Sequence, residues 1–184
     1  AAFWRGGNRD LHFSKLPGSL AEVKSIHQQF DQKQWSSNIY VGEQALEDNL
    51  PQQPPTILHL ATHGFVFSKP QNPQAPSKNL RQRVAYAQNP LMRIGLAFAG
   101  ANYFWKGGRK IEGMKNGILT AYEAMNLNLK QTELVVLSAC QTGIGDINQI
   151  DGVMGLPRAL KIAGAKQTII SLWKVHDQAT TLLM

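Results

Sequence analysis

Three short apolar segments constrain the fold of this 184-residue chain more than any other feature. They span residues 56–61, 133–138 and 167–172, and each has the length of a buried strand rather than that of a helix. A nearly continuous apolar run is typical of a parallel strand that is covered on both faces. The stretches between the three segments carry helix-like patterns. This alternation predicts one α/β domain over residues 1–184, with a mainly parallel central sheet.

The other predicted elements alternate around these strands. We expect helices over residues 20–30, 43–50, 119–125, 153–163 and from 177 onward, and strands over 38–42 and 93–99. Residues 68–90 interrupt the pattern with prolines among Gln, Asn and Ser, which predicts a surface insertion. Residues 180–184 carry no helix stop signal, so we interpret the chain as a C-terminally truncated fragment of a longer protein.

Composition and charge narrow the class of protein. A single cysteine excludes an internal disulfide and suits a reducing cytoplasm, which is where we expect the protein. No apolar run approaches the roughly 20 residues that span a bilayer, and we see no signal peptide, so no membrane partner is expected. The net charge of +7 would suit nucleic acid. However, no zinc-finger, phosphate-loop or basic-helix motif accompanies it, and we do not expect direct nucleic-acid binding.

Chemically useful residues follow the ends of the three apolar segments. Parallel sheets bind ligands at the carboxyl ends of their strands. If the three strands are parallel neighbours, one crevice at that end would therefore contain His63, Cys140 and residues 173–177. A cysteine attacks as thiolate and needs a base, and loop N–H groups can stabilise an oxyanion. Nucleophile, base and N–H donors form the minimum set for acyl transfer.

Each of these residues also has a structural interpretation. Cys140 could be a small buried hydrophobe, and His63 a hydrogen-bonded structural residue. A metal held by His59 and His63 is disfavoured, because strand residues four apart lie roughly 13 Å from each other. We therefore expect no metal and no cofactor. We expect His59 to pack inside the domain with its ring nitrogens hydrogen-bonded.

Two segments resemble a known family. Residues 57–64, ILHLATHG, and 135–143, VVLSACQTG, are similar to the catalytic segments of the CHAT domain. This caspase-like domain is often joined to tetratricopeptide repeats and belongs to the peptidase clan of caspases and separase. Further segments that fit the family are residues 16–19 with Glu22, 40–45, 89–91, 95–102, 117–123, 152–160 and 171–177.

The resemblance implies both a fold and an activity. It implies a caspase-like three-layer sandwich, in which helices cover both faces of the sheet. It implies that His63 and Cys140 form a catalytic dyad and that the N–H groups of Gly64 and Cys140 form the oxyanion hole. The substrate would be a protein or peptide, and a tetratricopeptide-repeat or other sensor region would regulate the site. Gln141 stands where the family usually has an acidic residue.

The substrate pocket is less constrained than the dyad. Asp177 ends a Trp-x-Val-x-Asp pattern, beginning at Trp173, that is similar to one in separase. Carried over, Asp177 would select Arg or Lys before the cleaved bond through a charge-assisted pair. Equally, Asp177 could cap the following helix. Further pocket candidates are Ser138, which stands where metacaspase-like relatives carry an acid, and Asp146 and Asp151.

Three functions compete at this point. The first is a regulated cysteine endopeptidase. The second is a scaffold with a caspase-like fold and no turnover, although intact His63 and Cys140 argue against it. The third is a nucleic-acid-binding domain, which only the charge suggests.

Overall fold

The computed structural model describes residues 12–67, 80–140 and 155–170. Helices and strands alternate along these residues, with short 3-10 turns between them. In chain order the elements are α1 Pro17–Gln32, 3-10 turns Gly42–Gln44 and Glu47–Asn49, β1 Ile57–Val66, α2 Leu80–Ala85, a 3-10 turn Pro90–Met92, β2 Ile94–Ala97, α3 Ala101–Trp105, β3 Ile118–Thr120, α4 Ala121–Ala124, β4 Leu134–Cys140, α5 Gly155–Ile162 and β5 Gln167–Ile170.

The five strands form one sheet in the order β3-β2-β1-β4-β5. β1, β4 and β5 run parallel to one another, whereas β2 is antiparallel to both β1 and β3. The predicted α/β class with a mainly parallel sheet is confirmed. The three parallel neighbours are the three segments that the sequence marks as continuously apolar.

One face of the sheet carries the larger apolar cluster. Leu58 and Leu60 of β1 and Val135 and Leu137 of β4 point to this face, together with buried residues of α4 and α5. Val135 and Leu137 have no exposed surface at all. Since strand side chains alternate between faces, the intervening residues of β1 and β4 point to the opposite face, towards α1.

That opposite face holds a second cluster next to α2 and α3. Phe65 of β1 and Trp105 of α3 are its largest members, at 3% and 2% exposed, and their ring centroids lie 5.5 Å apart. Gly95 of β2 is the register partner of Phe65, and a Cβ there would lie 2.8 Å from the Phe65 ring. The glycine therefore makes room for the aromatic cluster.

Several predicted elements are wrong. Residues 38–41 form no strand, because Tyr40 is exposed and Gly42 turns the chain with a φ of +58°. The predicted helix over 43–50 is two 3-10 turns. The predicted helix over 119–125 begins instead as strand β3, whose three residues are all buried against β2.

The interrupting segment contains more structure than expected where it is described. Residues 80–85 form α2, with Val84 buried beside the aromatic cluster, and 90–92 form a 3-10 turn that Asn89 caps. Residues 68–79 lie outside the described residues, as do 171–172 of the third apolar segment and the helix predicted from 177.

Candidate active site

His63 and Cys140 are register partners on neighbouring parallel strands. They form the last pair of the β1–β4 ladder, which begins at Ile57 and Leu134. Beyond this pair β1 continues to Val66, bonded only to β2 on its other side among the described residues. The prediction that His63 follows the end of this strand is therefore wrong, because β1 continues for three residues beyond it. His63 and Cys140 nevertheless lie towards the carboxyl ends of β1 and of the described part of β4, the end of a parallel sheet at which ligands bind.

The His63 ring is held by a backbone carbonyl. Its Nε2 lies 2.7 Å from the carbonyl oxygen of Ser14, and the side chain is half-buried. A carbonyl can only accept a hydrogen bond, so Nε2 carries the proton and donates. The neutral ring then has its lone pair on Nδ1. His63 can therefore accept a proton at Nδ1 while Nε2 stays bonded to Ser14.

Phe13 and Ser14 form a short segment over His63, here called the N-terminal strap. The Phe13 ring centroid lies 5.6 Å from that of His63 and 5.6 Å from that of Trp105. Asn102, the second residue of α3, bonds both main-chain groups of Phe13. Sequence reasoning missed this strap, because no local pattern links residues that lie 89 positions apart.

The pairing of β1 with β2 orients the backbone of Gly64. The N–H of Phe67 donates to the carbonyl of Arg93 at 2.9 Å, and hydrogen-bonded pairs alternate along an antiparallel ladder. The pairs Phe65–Gly95 and His63–Ala97 are therefore hydrogen-bonded as well, and the Gly64–Leu96 pair between them is not. The Gly64 N–H therefore points away from β2, towards β4.

Glu22 connects α1 to both strands that carry His63 and Cys140. Its Oε1 accepts a hydrogen bond from Ser138 Oγ at 2.5 Å and lies 2.7 Å from His59 Nε2. Glu22 is only 2% exposed, and its Oε2 is buried with no hydrogen-bond partner among the described residues. The prediction that His59 packs inside with a hydrogen-bonded ring is confirmed for Nε2. His59 lies on the same face of the sheet as His63, four residues before it, and Ser138 lies two residues before Cys140.

Of the predicted substrate-pocket residues, Ser138 is the one that lies among the described residues. Ser138 is 7% exposed and donates its hydroxyl to Glu22, and its contact with a substrate stays a prediction. The other proposed pocket and loop positions lie outside the described residues: Gln141, Asp146, Asp151, Trp173 and Asp177.

In the described part of the chain, no group of three or more His, Cys, Asp or Glu side chains is arranged to hold a metal ion. Within the same ranges, no helix has the length and apolarity needed to cross a lipid bilayer. A pocket of about 470 Å³ is lined by Gln53, Pro54, Asn128, Lys130 and Gln131. These residues precede β1 and β4, at the end of the sheet opposite His63 and Cys140.

Comparison with known proteins identifies the family. No curated protein and no solved structure matched the chain. The family model described as CHAT domain matches residues 5–184. The resemblance drawn from the two strand segments is thereby confirmed. Since the match covers almost the whole sequence, the chain belongs to the caspase-like CHAT domain family.

Proposed function

We propose that the chain is a cysteine endopeptidase that cleaves protein substrates with a His63–Cys140 dyad. The observation that carries this proposal is the register pairing of the two residues on the neighbouring strands β1 and β4. Neighbouring strands lie about 4.8 Å apart, so the backbones of the two positions are close enough for a nucleophile and its base to act together. Membership of a caspase-like family supports the same chemistry.

In the proposed mechanism His63 is the proton carrier. Its Nδ1 accepts the thiol proton while Nε2 stays bonded to Ser14, as the 2.7 Å contact allows. The Cys140 sulfur attacks the scissile carbonyl carbon, forming a C–S bond and a tetrahedral oxyanion. Collapse breaks the C–N bond, and the protonated His63 gives its proton to the leaving amine. Water, deprotonated by His63, then hydrolyses the thioester and frees the thiol.

The oxyanion needs preorganised donors. We propose the N–H groups of Gly64 and Cys140 for this role. Membership of the caspase-like family supports this proposal, and the Gly64 N–H points away from β2, towards the strand that carries Cys140. Loss of one such donor costs about 10²–10³ in kcat in well-studied acyl-transfer enzymes.

We also propose that the enzyme prefers Arg or Lys before the cleaved bond. Support comes from Asp177, at the end of the Trp-x-Val-x-Asp pattern that begins at Trp173. A carboxylate at the base of a pocket would pair with a basic side chain through a charge-assisted bond. Ser138 and Asp146 are proposed as further pocket residues. We propose further that the domain is a three-layer sandwich and that it acts in the cytoplasm.

Regulation is proposed to come from a tetratricopeptide-repeat or other sensor region in the same protein or complex. The usual arrangement of the family supports this. Comparing the labelling rate of Cys140 with and without such a region tests it. Equal rates under all conditions would contradict the proposal.

Active-site labelling tests the peptidase proposal. Matched acyloxymethyl-ketone probes carry Arg in one case and Asp in the other. Since Cys140 is the chain's single cysteine, thiol labelling reports on one residue. We expect labelling by the Arg probe, loss in Cys140→Ala and His63→Ala, and weakening in Asp177→Ala. Alkylation of the denatured proteins controls for the thiol, and should proceed equally in all but Cys140→Ala.

The outcomes separate the alternatives. Labelling by the Asp probe alone would keep the peptidase and contradict the basic pocket. If neither probe labels Cys140 under any activating condition, the chain is a scaffold with a caspase-like fold rather than an enzyme.

A further inference from the structure

One side-chain amide satisfies both main-chain hydrogen-bonding groups of Phe13. Asn102 Oδ1 accepts from the Phe13 N–H at 2.9 Å, and Asn102 Nδ2 donates to the Phe13 carbonyl at 2.8 Å. The amide thus pairs with Phe13 as a neighbouring strand would. Only a carboxamide offers an acceptor and a donor in this spacing, so the match is specific to the side chain present.

Asn102 lies on a well-anchored element. Its neighbours on α3 include Ala101 and Trp105, which are 1% and 2% exposed. The helix starts after Gly100, whose φ of +84° sets the direction of its first turn. Because its backbone is fixed by buried neighbours, the Asn102 amide is a rigid clamp for the strap.

The clamp acts one residue away from the contact with His63. Phe13 is bonded by Asn102, and the next residue, Ser14, presents its carbonyl to His63 Nε2 at 2.7 Å. The Phe13 ring packs between the rings of His63 and Trp105, each 5.6 Å away. Backbone and ring of Phe13 are therefore both held, which leaves the Ser14 carbonyl in a defined position.

We propose that Asn102 is a positioning residue for His63: it clamps Phe13 so that the Ser14 carbonyl keeps the imidazole proton on Nε2. Asn102 does not touch the reacting atoms in this proposal. It acts through the strap. The catalytic consequence rests on the proposed peptidase function, whereas the effect on the ring does not.

The chemical consequence concerns the tautomer of His63. A neutral imidazole carries its proton on Nδ1 or Nε2, and a hydrogen-bond acceptor at one nitrogen selects that tautomer. With the strap in place, Nδ1 is the basic nitrogen. When the clamp is removed, the Ser14 carbonyl loses its fixed position, and both tautomers and other ring orientations become populated.

Nitrogen NMR of the imidazole tests this directly. We would record long-range ¹H–¹⁵N spectra of the whole chain, at a pH where the rings are neutral, and assign His63 by its loss in His63→Gln. The expected reference spectrum shows a protonated Nε2 and an unprotonated Nδ1. In Asn102→Ala, both His63 signals should move towards the average of the two forms.

A second variant and a matched control accompany this test. Asn102→Asp is nearly isosteric, keeps an acceptor for the Phe13 N–H and lacks the donor for its carbonyl. Asn102→Asp should shift the same two His63 signals. If Asn102→Ala does not fold, the spectrum of Asn102→Asp tests the positioning role instead. Asn126→Ala removes an exposed amide that bonds the Tyr122 carbonyl, and should leave His63 unchanged. Unchanged His63 signals in a folded Asn102 variant would overturn the proposal.

Kinetics then connect the ring to turnover. In Asn102→Ala we expect kcat to fall about tenfold, with KM changed less than about twofold, because an orienting contact and no substrate contact is lost. If the wild-type chain has no activity but the NMR shift occurs, the positioning role stands and the peptidase proposal fails. If the enzyme is active but the His63 signals are unaltered in the Asn102 variants, the peptidase proposal stands and the positioning role fails.

Discussion

The Glu22 Oε1 atom lies 2.7 Å from His59 Nε2 and 2.5 Å from Ser138 Oγ, so one carboxylate joins a helix to two strands. The group is almost completely buried, at 2% exposed. Buried acids are retained only with partners, because desolvation of the carboxylate is costly. The two partners also lie on the strands that carry His63 and Cys140, four residues before His63 and two before Cys140.

Replacing Glu22 by alanine should therefore destabilise the fold. His59 and Ser138 would each lose a buried partner, and we expect a loss of about 3 kcal/mol in the free energy of unfolding. Glu22→Gln keeps a carbonyl acceptor and should cost less. Urea titration followed by tryptophan fluorescence measures both.

Glu112→Ala is the matched control, because Glu112 is exposed. It should change the free energy of unfolding by no more than about 0.5 kcal/mol. Equal effects of the Glu22 and Glu112 substitutions would contradict a structural role for the buried carboxylate.

Alanine substitutions of the two histidines of β1 should affect different properties: His59→Ala mainly the free energy of unfolding, and His63→Ala mainly the labelling of Cys140. His59→Ala removes the partner of buried Glu22 and should destabilise the protein by an amount close to that of Glu22→Ala. His63→Ala should cost only about 1 kcal/mol, since the half-buried ring loses one hydrogen bond. It should nevertheless abolish labelling of Cys140. Comparing urea midpoints with probe labelling of the same samples tests this, and strong labelling in His63→Ala would refute its assignment as the base.

Glu47 should make stability depend on pH. Burial raises the pKa of its carboxyl from 4.5 to about 7, opposed in part by Lys115, whose Nζ lies 3.5 Å from Oε1. The folded protein thus binds this proton more tightly than the unfolded chain does. The resulting stabilisation is full below pH 4.5 and is lost as the pH rises to about 7.

Glu47→Gln should remove that dependence. The free energy of unfolding of the wild type, relative to the variant, should fall by at most about 3 kcal/mol between pH 4.5 and 8. Urea titrations of both proteins across this range provide the measurement. A constant difference at every pH would show that the Glu47 pKa is not raised.

Two glycines with similar backbones should respond differently to alanine. Gly113 and Gly117 have φ values of +75° and +71°. A Cβ on Gly113 meets nothing within 4 Å, whereas one on Gly117 would lie 2.6 Å from the Ala99 carbonyl oxygen and 2.8 Å from the Ala101 nitrogen. Gly113→Ala should cost about 1 kcal/mol for the left-handed conformation alone.

Gly117→Ala should cost at least about 2 kcal/mol more, because its neighbours are backbone atoms that cannot move aside cheaply. Thermal or urea unfolding of the pair measures the difference. Similar losses in both variants would mean that the loop before β3 yields to the added methyl group.

The sequence by itself determined the parallel centre of this fold and the identity of its family. The apolar runs of β1, β4 and β5 predict parallel strands, because such strands are usually covered on both faces. The expected burial is found in the centre of β4, whereas β5 lies last in the strand order and its Ile169 is 50% exposed. Residues 57–64 and 135–143 carry enough specific positions to indicate the CHAT domain.

Only the tertiary structure decided which distant groups meet. β3 has three residues, and a run that short resembles the start of the helix that follows it. The antiparallel direction of β2 depends on the path of the connecting chain. The contacts of Asn102 with Phe13 and of Glu22 with Ser138 join residues 89 and 116 positions apart. A local sequence pattern indicates whether a side chain is buried, whereas its contact partner depends on how the helices and strands pack together.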